Sequence, residues 1–227
     1  MINIRSLNRF YNTHKNEKLI LMCNGPSLND IDFNVCENQI IMGLNKIFLG
    51  FNRFNIYPNY YVATNRKVIN SSIKEIKKLN CITFTPNHSI ESIEKGPFNY
   101  FVNISKKEKF FLDITKGINE GYSVTYVGLQ IAYFMGFSKV ILIGLDHRYS
   151  FFGKPNQEAF MDGNDPNHFD PSYFRNQNWD NPDLTNSEKY FKIANEIFKR
   201  DNRKIIDATI NGSCNIFPKM NLEDAIS

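Results

Sequence analysis

The sequence predicts an α/β fold: a Rossmann-like, mostly parallel sheet with helices on both faces, plus a polar-aromatic lid. Three observations predict it. Seven short apolar runs recur along the chain, helical patterns lie between them, and several runs stop on asparagine or aspartate. Strands alternating with helices indicate a parallel sheet covered on both faces.

The strand-like runs are 18–23, 39–45, 59–64, 81–86, 99–104, 139–145 and 204–209. Several are apolar throughout, as strands buried on both faces must be. Between them, 66–79 places Val68, Ile69, Ile73, Ile76 and Leu79 at three- and four-residue steps, one face of a helix. Residues 123–136 are apolar nearly all round and close on Gly136, a buried helix with a glycine C-cap. Residues 185–200 open on Thr185 with Glu188 three positions later, the spacing of a capping box. No internal repeat is present. With 227 residues and 42% hydrophobic content, the chain reads as a single nucleotide-binding domain over 1–227.

Residues 146–184 break the rhythm, being rich in Asn, Asp and Pro. A structureless loop this long is uncommon unless functional. It follows the carboxyl end of a central strand, where open α/β sheets bind ligands. Its aromatics, among them Tyr149, Phe169, Tyr173, Phe174 and Trp179, argue against a disordered insertion. A lid over about 147–184 is expected.

Composition excludes several classes. A net charge of +4 with scattered lysines gives no dense basic stripe, so no nucleic-acid partner is expected. Cys23, Cys36, Cys81 and Cys214 form no C-x-x-C pair and lie near no histidine at metal spacing, so reduced, buried thiols are expected. The start of the chain lacks a signal-peptide apolar stretch and no run is long enough to span a bilayer, so a cytoplasmic protein is expected. The mild positive charge is compatible with peripheral contact with an anionic membrane, and a homo-oligomer is compatible with everything above.

The chemistry-bearing residues gather at strand ends. The first run stops at Asn24-Gly25-Pro26-Ser27. Glycine lets backbone approach a ligand, proline fixes a turn without a donor, serine caps a helix or donates to phosphate, and asparagine both donates and accepts. The turn reads equally as a phosphate cradle and as plain structure. Other runs stop at Asn45, at Asn65, and at Asp146 with His147. Such groups at the tips of parallel strands would line one crevice. Asp30 and Asp32 have D-x-D spacing but follow a helix-starting turn, where acids complement the helix dipole, so no metal role is assigned to them.

The ordered set "NGPSL", "GYSVTYVGLQIAYFMGFSKVILIGLDHRY", "DPNHFDPSYF" and "DATINGSCNIFPKMNLED" resembles a known superfamily over most of 18–220. It is similar to the group called domain of unknown function 115, or 6-hydroxymethylpterin-diphosphokinase-like. That group is related to bacterial CMP-sialic acid sialyltransferases (glycosyltransferase family 42) and to motility-accessory glycosyltransferases. The resemblance implies a nucleotide-phosphate turn at Asn24, Gly25, Pro26 and Ser27. It implies donor contacts at Asn45, Asn65, Ser123 and Thr125, and Asp146 on the cytidine side. Tyr149 would support the departing phosphate, and His168 would be the general base, with His147 as its rival. Where the family's base lies closer to the following helix, this chain has "NHFDPSYF".

The activity so implied is metal-independent transfer from a nucleotide-activated sugar donor, CMP-linked and acidic, to a glycan or lipid-linked acceptor, without a cofactor. A second reading is a diphosphokinase moving pyrophosphate from ATP to a pterin alcohol. It needs Mg²⁺ and carboxylates to hold it, for which the chain offers Asp146, Asp162, Asp165 and Asp170. Lys46, beside Asn45, is the nearest thing to a phosphate-loop lysine. A third reading is a non-catalytic glycan- or nucleotide-binding protein.

Overall fold

A computed structural model describes residues 6–93 and 96–227. All seven expected runs form strands: β1 (Lys18–Met22), β2 (Ile41–Leu44), β3 (Tyr60–Val62), β4 (Ile82–Pro86), β5 (Asn99–Val102), β6 (Lys139–Ile143) and, after a hairpin of β7 (Glu158–Met161) and β8 (Gln177–Asp180), β9 (Lys204–Asp207). The sheet order is β5-β4-β3-β2-β1-β6-β9. Every pairing in it is parallel. The expected mostly parallel sheet is therefore wholly parallel, and the antiparallel β7–β8 pair stands apart from it.

The order places a topological switch between β1 and β6. The chain builds outward from β1 to β5, then returns to lay β6 on the opposite side of β1. Crossovers leave the two strand tips diverging there, opening a crevice at the carboxyl ends. Register is set by alternation. Leu19 and Leu21 of β1 face one core and Ile20 and Met22 the other, as do Val140 and Leu142 against Ile141 and Ile143 of β6. A one-residue slip would exchange the two sets.

The first core is closed by α5 (Val124–Met135) and α6 (Leu184–Arg200). Helix α5 is buried on nearly every side, as its sequence required. Ser123 caps it by accepting from the Thr125 amide, and Gly136 ends it at φ 93°. Its last carbonyls accept from the N-terminal segment: Asn12 N–H bonds Phe134 O at 3.1 Å and His14 N–H bonds Met135 O at 2.8 Å.

The second core is covered by shorter elements: α1 (Phe51–Phe54), α2 (Arg66–Ser71), α3 (Ile73–Lys77), α4 (Ile90–Ile93) and α7 (Leu222–Ile226). The single helix expected over 66–79 is broken at Ser72, whose φ of −132° and ψ of 20° leave the helical region. The supposed lid also belongs to this core. Phe169, Tyr173, Phe174 and Trp179 are buried there beside Tyr61, Ile69 and Ile143. Residues 146–184 are thus an ordered covering layer with its own hairpin, whose aromatics lower its free energy by leaving water. Phe152 and Phe160 remain exposed.

The four cysteines are free, three of them buried and Cys81 half-buried. Burial pushes the Cys23 thiol up to about 12 and those of Cys36 and Cys81 to about 11, and raises Cys214. The nucleophile is the thiolate. At pH 8 a thiol-disulfide reagent should therefore label none of the four rapidly in the native protein and all four in denaturant. Rapid native labelling would contradict this packing.

Candidate active site

Two adjacent cavities that share lining residues lie at the carboxyl ends of the strands. The inner chamber, about 100 Å³, sits at the switch point between Asn24-Gly25 after β1 and Asp146-His147 after β6. The outer cleft, about 450 Å³, opens between β3, the start of α2, the turn before α5 and hairpin β7–β8. Asn45, Ser123, Tyr149 and His168 line both. Asn24, Gly25, Thr125, Asp146 and His147 line the inner chamber alone, and Asn65 the outer cleft alone. Pro26 and Ser27 line neither.

The first turn is a lock rather than a cradle. Asp146 is buried and accepts from Ser27 twice, from the amide at 3.2 Å and from the hydroxyl at 2.7 Å. Gly25 N–H donates to Gly144 O at 2.8 Å, and Leu28 N–H to Gly25 O at 3.2 Å. Phosphate nests need free N–H groups, and these donors are spent. Ser27 caps no helix. The cap of the 3₁₀ turn Pro26–Asp30 is Gly25, with Pro26 in its first position. Asp146 by itself demands glycine at position 25, although its φ is an ordinary −71°. A Cβ there would stand 1.9 Å from Asp146 Oδ2 and 2.7 Å from Gly144 O. Asp30 ends that turn, and Asp32 caps the next one by accepting from Asn34 N–H.

The asparagines divide by role. Asn65 Oδ1 caps α2, accepting from the Lys67 and Val68 amides at 2.9 and 3.1 Å. Asn24 and Asn45 differ. The Oδ1 of each is buried without a partner, and Asn45 adopts φ 47°. A buried unmatched acceptor costs about 1–3 kcal/mol, and both of these side chains line the inner chamber.

His168 is the best-oriented titratable group in the site. Its Nδ1 lies 2.8 Å from Asp165 Oδ2. Its ring stacks on Tyr173 at 3.8 Å and 4°, with Phe174 and Tyr149 edge-on. Asp165 is itself fixed by the Asn167 amide at 2.8 Å. The segment is pinned to the first turn: Phe169 N–H donates to Asn24 O at 2.9 Å, and Asn29 Nδ2 to Phe169 O at 3.0 Å. With Nδ1–H donating to Asp165, the lone pair rests on Nε2, which no described residue engages.

His147 sits differently. It is buried at φ 52°, and its Nε2 is 3.1 Å from Glu188 Oε1. Burial lowers its pKa, with Glu188 opposing. Glu188 is thus a partner of His147, and the expected capping box is not formed: Asp183 caps α6, accepting from Asn186 N–H at 3.0 Å. Burial would raise the Asp183 carboxyl, but donors from Asn186 and Asn156 outweigh it and hold the pKa low. Burial also raises the Tyr149 phenol far above its usual range, which keeps it a neutral O–H donor.

Lys46 is not a phosphate-loop lysine. Its buried Nζ donates to Tyr173 O at 2.6 Å and Gln177 Oε1 at 3.0 Å, tying the covering layer to the tip of β2. Desolvation lowers its pKa to about 8, against the pull of Asp165 and Glu75. Three of the four carboxylates considered for Mg²⁺ are engaged by neighbours. Asp146 is tied to Ser27, Asp165 to His168 and Asp170 to Ser172. No group of three potential ligands that could hold a metal occurs among the described residues.

The sequence model described as 6-hydroxymethylpterin diphosphokinase MptE-like matches residues 1–151. The chain belongs to this MptE-like family. The match takes in the Asp146 lock and the strand-tip side of the inner chamber, and stops short of the Asp165–His168 pair and the other residues that line the chamber from 167 onward. Among solved structures, the chain is similar to the MAf glycosyltransferase from Magnetospirillum magneticum AMB-1, with a TM-score of 0.58 and 13% identity over 92% of this chain. It spans 34% of that protein, and at this identity the likeness is one of fold. No curated protein matches the chain. No helix among the described residues is long and apolar enough to cross a membrane.

Sequence reading missed Asp165 as the orienting partner of His168, although its i, i+3 spacing in "DPNH" was visible. It also missed Glu120, Tyr122, Asp180 and Asn181, which line the outer cleft from two stretches about 60 residues apart in the sequence.

Gly25→Ala should destabilise the fold by about 1–3 kcal/mol through overpacking against Asp146. Adding Asp146→Ala should cost less than the sum of the two single changes, because one clash partner is gone. Urea midpoints check both; strict additivity would show that Gly25 and Asp146 do not share the lock.

Proposed function

We propose that the chain is a glycosyltransferase that moves a sugar from a nucleotide-activated, CMP-linked donor to a hydroxyl acceptor, with His168 as general base. One observation carries the reading: the His168 imidazole, oriented by Asp165, lines both chambers. A base between two adjacent compartments suits transfer from a ligand in one to a ligand in the other. The unmatched Asn24 and Asn45 oxygens suit the amino edge of a heterocycle in the inner chamber. The fold shared with the MAf glycosyltransferase supports the same class.

The step balances as a single displacement. The acceptor hydroxyl proton passes to His168 Nε2 as its oxygen bonds the anomeric carbon. The bond from that carbon to the phosphate oxygen breaks, and the nucleotide leaves with the electron pair. Tyr149, held neutral, donates to the departing phosphate. Asp165 stabilises the imidazolium that forms.

The family description favours a second reading, transfer of pyrophosphate from ATP to a pterin alcohol. It would hold Mg²⁺ through one or two carboxylates and the substrate phosphates, and no step is derived through it.

A thermal-shift panel of CMP, CDP, UDP, GDP and ATP, with and without Mg²⁺, tests the choice. A ligand at a hundred times its Kd adds about 2.7 kcal/mol. Stabilisation by CMP regardless of Mg²⁺ is expected. A response to UDP or GDP keeps sugar transfer and changes the donor, one to Mg-ATP alone selects the diphosphokinase, and none at all leaves a glycan-binding protein. With the donor in hand, His168→Gln should lower kcat by roughly 10²–10⁴-fold while nucleotide affinity stays near wild type. Asp165→Asn, which misplaces the ring proton, should lower it by about 10-fold or more. Wild-type turnover in His168→Gln would transfer the role to His147.

A further inference from the structure

The outer cleft has a charge and shape that the nucleotide reading does not use. Three carboxylates line it: Glu120, Asp180 and Asp183. Its one lysine, Lys67, is already committed, with its ammonium on Glu158 and, at 2.6 Å, on Asp180. The cleft wall is therefore acceptor-rich and net negative. A second observation points to a ligand there. Asn181 is 1% exposed and lines the cleft; its Nδ2 donates to Phe152 O and Lys154 O, while its Oδ1 is buried without a partner.

The rim carries a displayed aromatic. Tyr122 is 51% exposed yet lines both cavities. It stands at φ 60°, directly after Gly121 at φ 53°. A bulky residue in the left-handed region is uncommon, and such strain persists only where the surroundings enforce it. Here the turn leads into Ser123, the cap of α5, so the strain sets the ring at the cleft mouth beside Tyr190.

Aromatic faces bind the C–H faces of sugar rings, and carboxylate and amide oxygens take their hydroxyl hydrogens. Phosphate or carboxylate groups would meet a wall whose net charge is negative even with Lys67 paired to Asp180, and like-charge contact opposes their binding. We propose that the outer cleft is an acceptor subsite for an uncharged, hydroxyl-rich sugar whose ring stacks on Tyr122, and that Glu120, Asp180 and Asp183 exclude acidic sugars from it. This rests on the two-chamber reading above, with the acceptor in the outer compartment.

Binding without donor or turnover tests it. Saturation-transfer NMR at pH 7.5 would compare methyl β-galactoside and methyl β-glucoside with methyl β-glucuronide. Quenching of Trp179, the one tryptophan and a cleft-lining residue, supplies a second signal. The neutral glycosides should bind and the glucuronide should bind at least tenfold more weakly. Tyr122→Asn keeps a residue at ease at positive φ and removes the ring; it should weaken the neutral glycosides at least tenfold, while Tyr122→Phe retains them. Glu120→Gln should narrow the gap between neutral and acidic sugars.

Equal binding of glucuronide and glucoside, unchanged binding in Tyr122→Asn, or no glycoside binding at all would each overturn the subsite. Failure of the donor reading looks different: the glycosides bind as described while no nucleotide stabilises the protein.

Discussion

The contact between Asp146 and Ser27 is what the rest of the site depends on. It joins the tips of β1 and β6, the two strands between which the sheet changes direction. Parallel strands diverge at such a point, and the crevice there must be held to one width if it is to recognise anything. A buried carboxylate accepting an amide and a hydroxyl from one residue does this. Glycine at position 25 is the steric condition, because any side chain there would occupy the place of the carboxylate. Phe169 then bonds the Asn24 carbonyl, so the segment carrying His168 takes its position from the same turn.

The covering layer behaves as part of the body. Four of its aromatics are buried in the second core, and Lys46 fastens its backbone to β2 from below. Burying an ammonium costs free energy unless it is fully paired. Lys46 has two oxygen partners and the faces of Tyr173 and Phe174 around it. That arrangement fixes the Tyr173 ring, and His168 stacks on Tyr173. Placement of the His168 imidazole is thus coupled to core packing. What stays at the surface is the hairpin β7–β8, held to α2 through Lys67, with Glu158 and Asp180 on its two strands.

The two chambers differ in what they ask of a ligand. The inner one holds unmatched amide oxygens and little room, which suits one planar heterocycle edge. The outer one is larger, more open and lined by carboxylates. An activated donor and a hydroxyl acceptor have this division of character, and His168 stands at the boundary between them.

The sequence alone determined the strands, the buried helix α5 and the location of a crevice, because each is a local pattern. Apolar runs bounded by turn formers must bury both faces, an all-round apolar helix must lie inside, and polar groups ending parallel strands must share one edge. It also showed Asn24, Asn45, Asp146 and His168 as candidates by type and position. Only the tertiary structure decided their roles. Whether Ser27 faces a phosphate or a carboxylate depends on Asp146, which is 119 residues away. Whether Glu188 caps a helix or holds His147 depends on a neighbour 41 residues distant. The pairing of His168 with Asp165 was local and could have been read, but the ring that orients it, the lysine that fixes that ring and the acidic lining of the outer cleft converge from separate segments. Hydrogen bonds and packing between such segments leave no periodic trace in sequence, and so these were fixed by the fold.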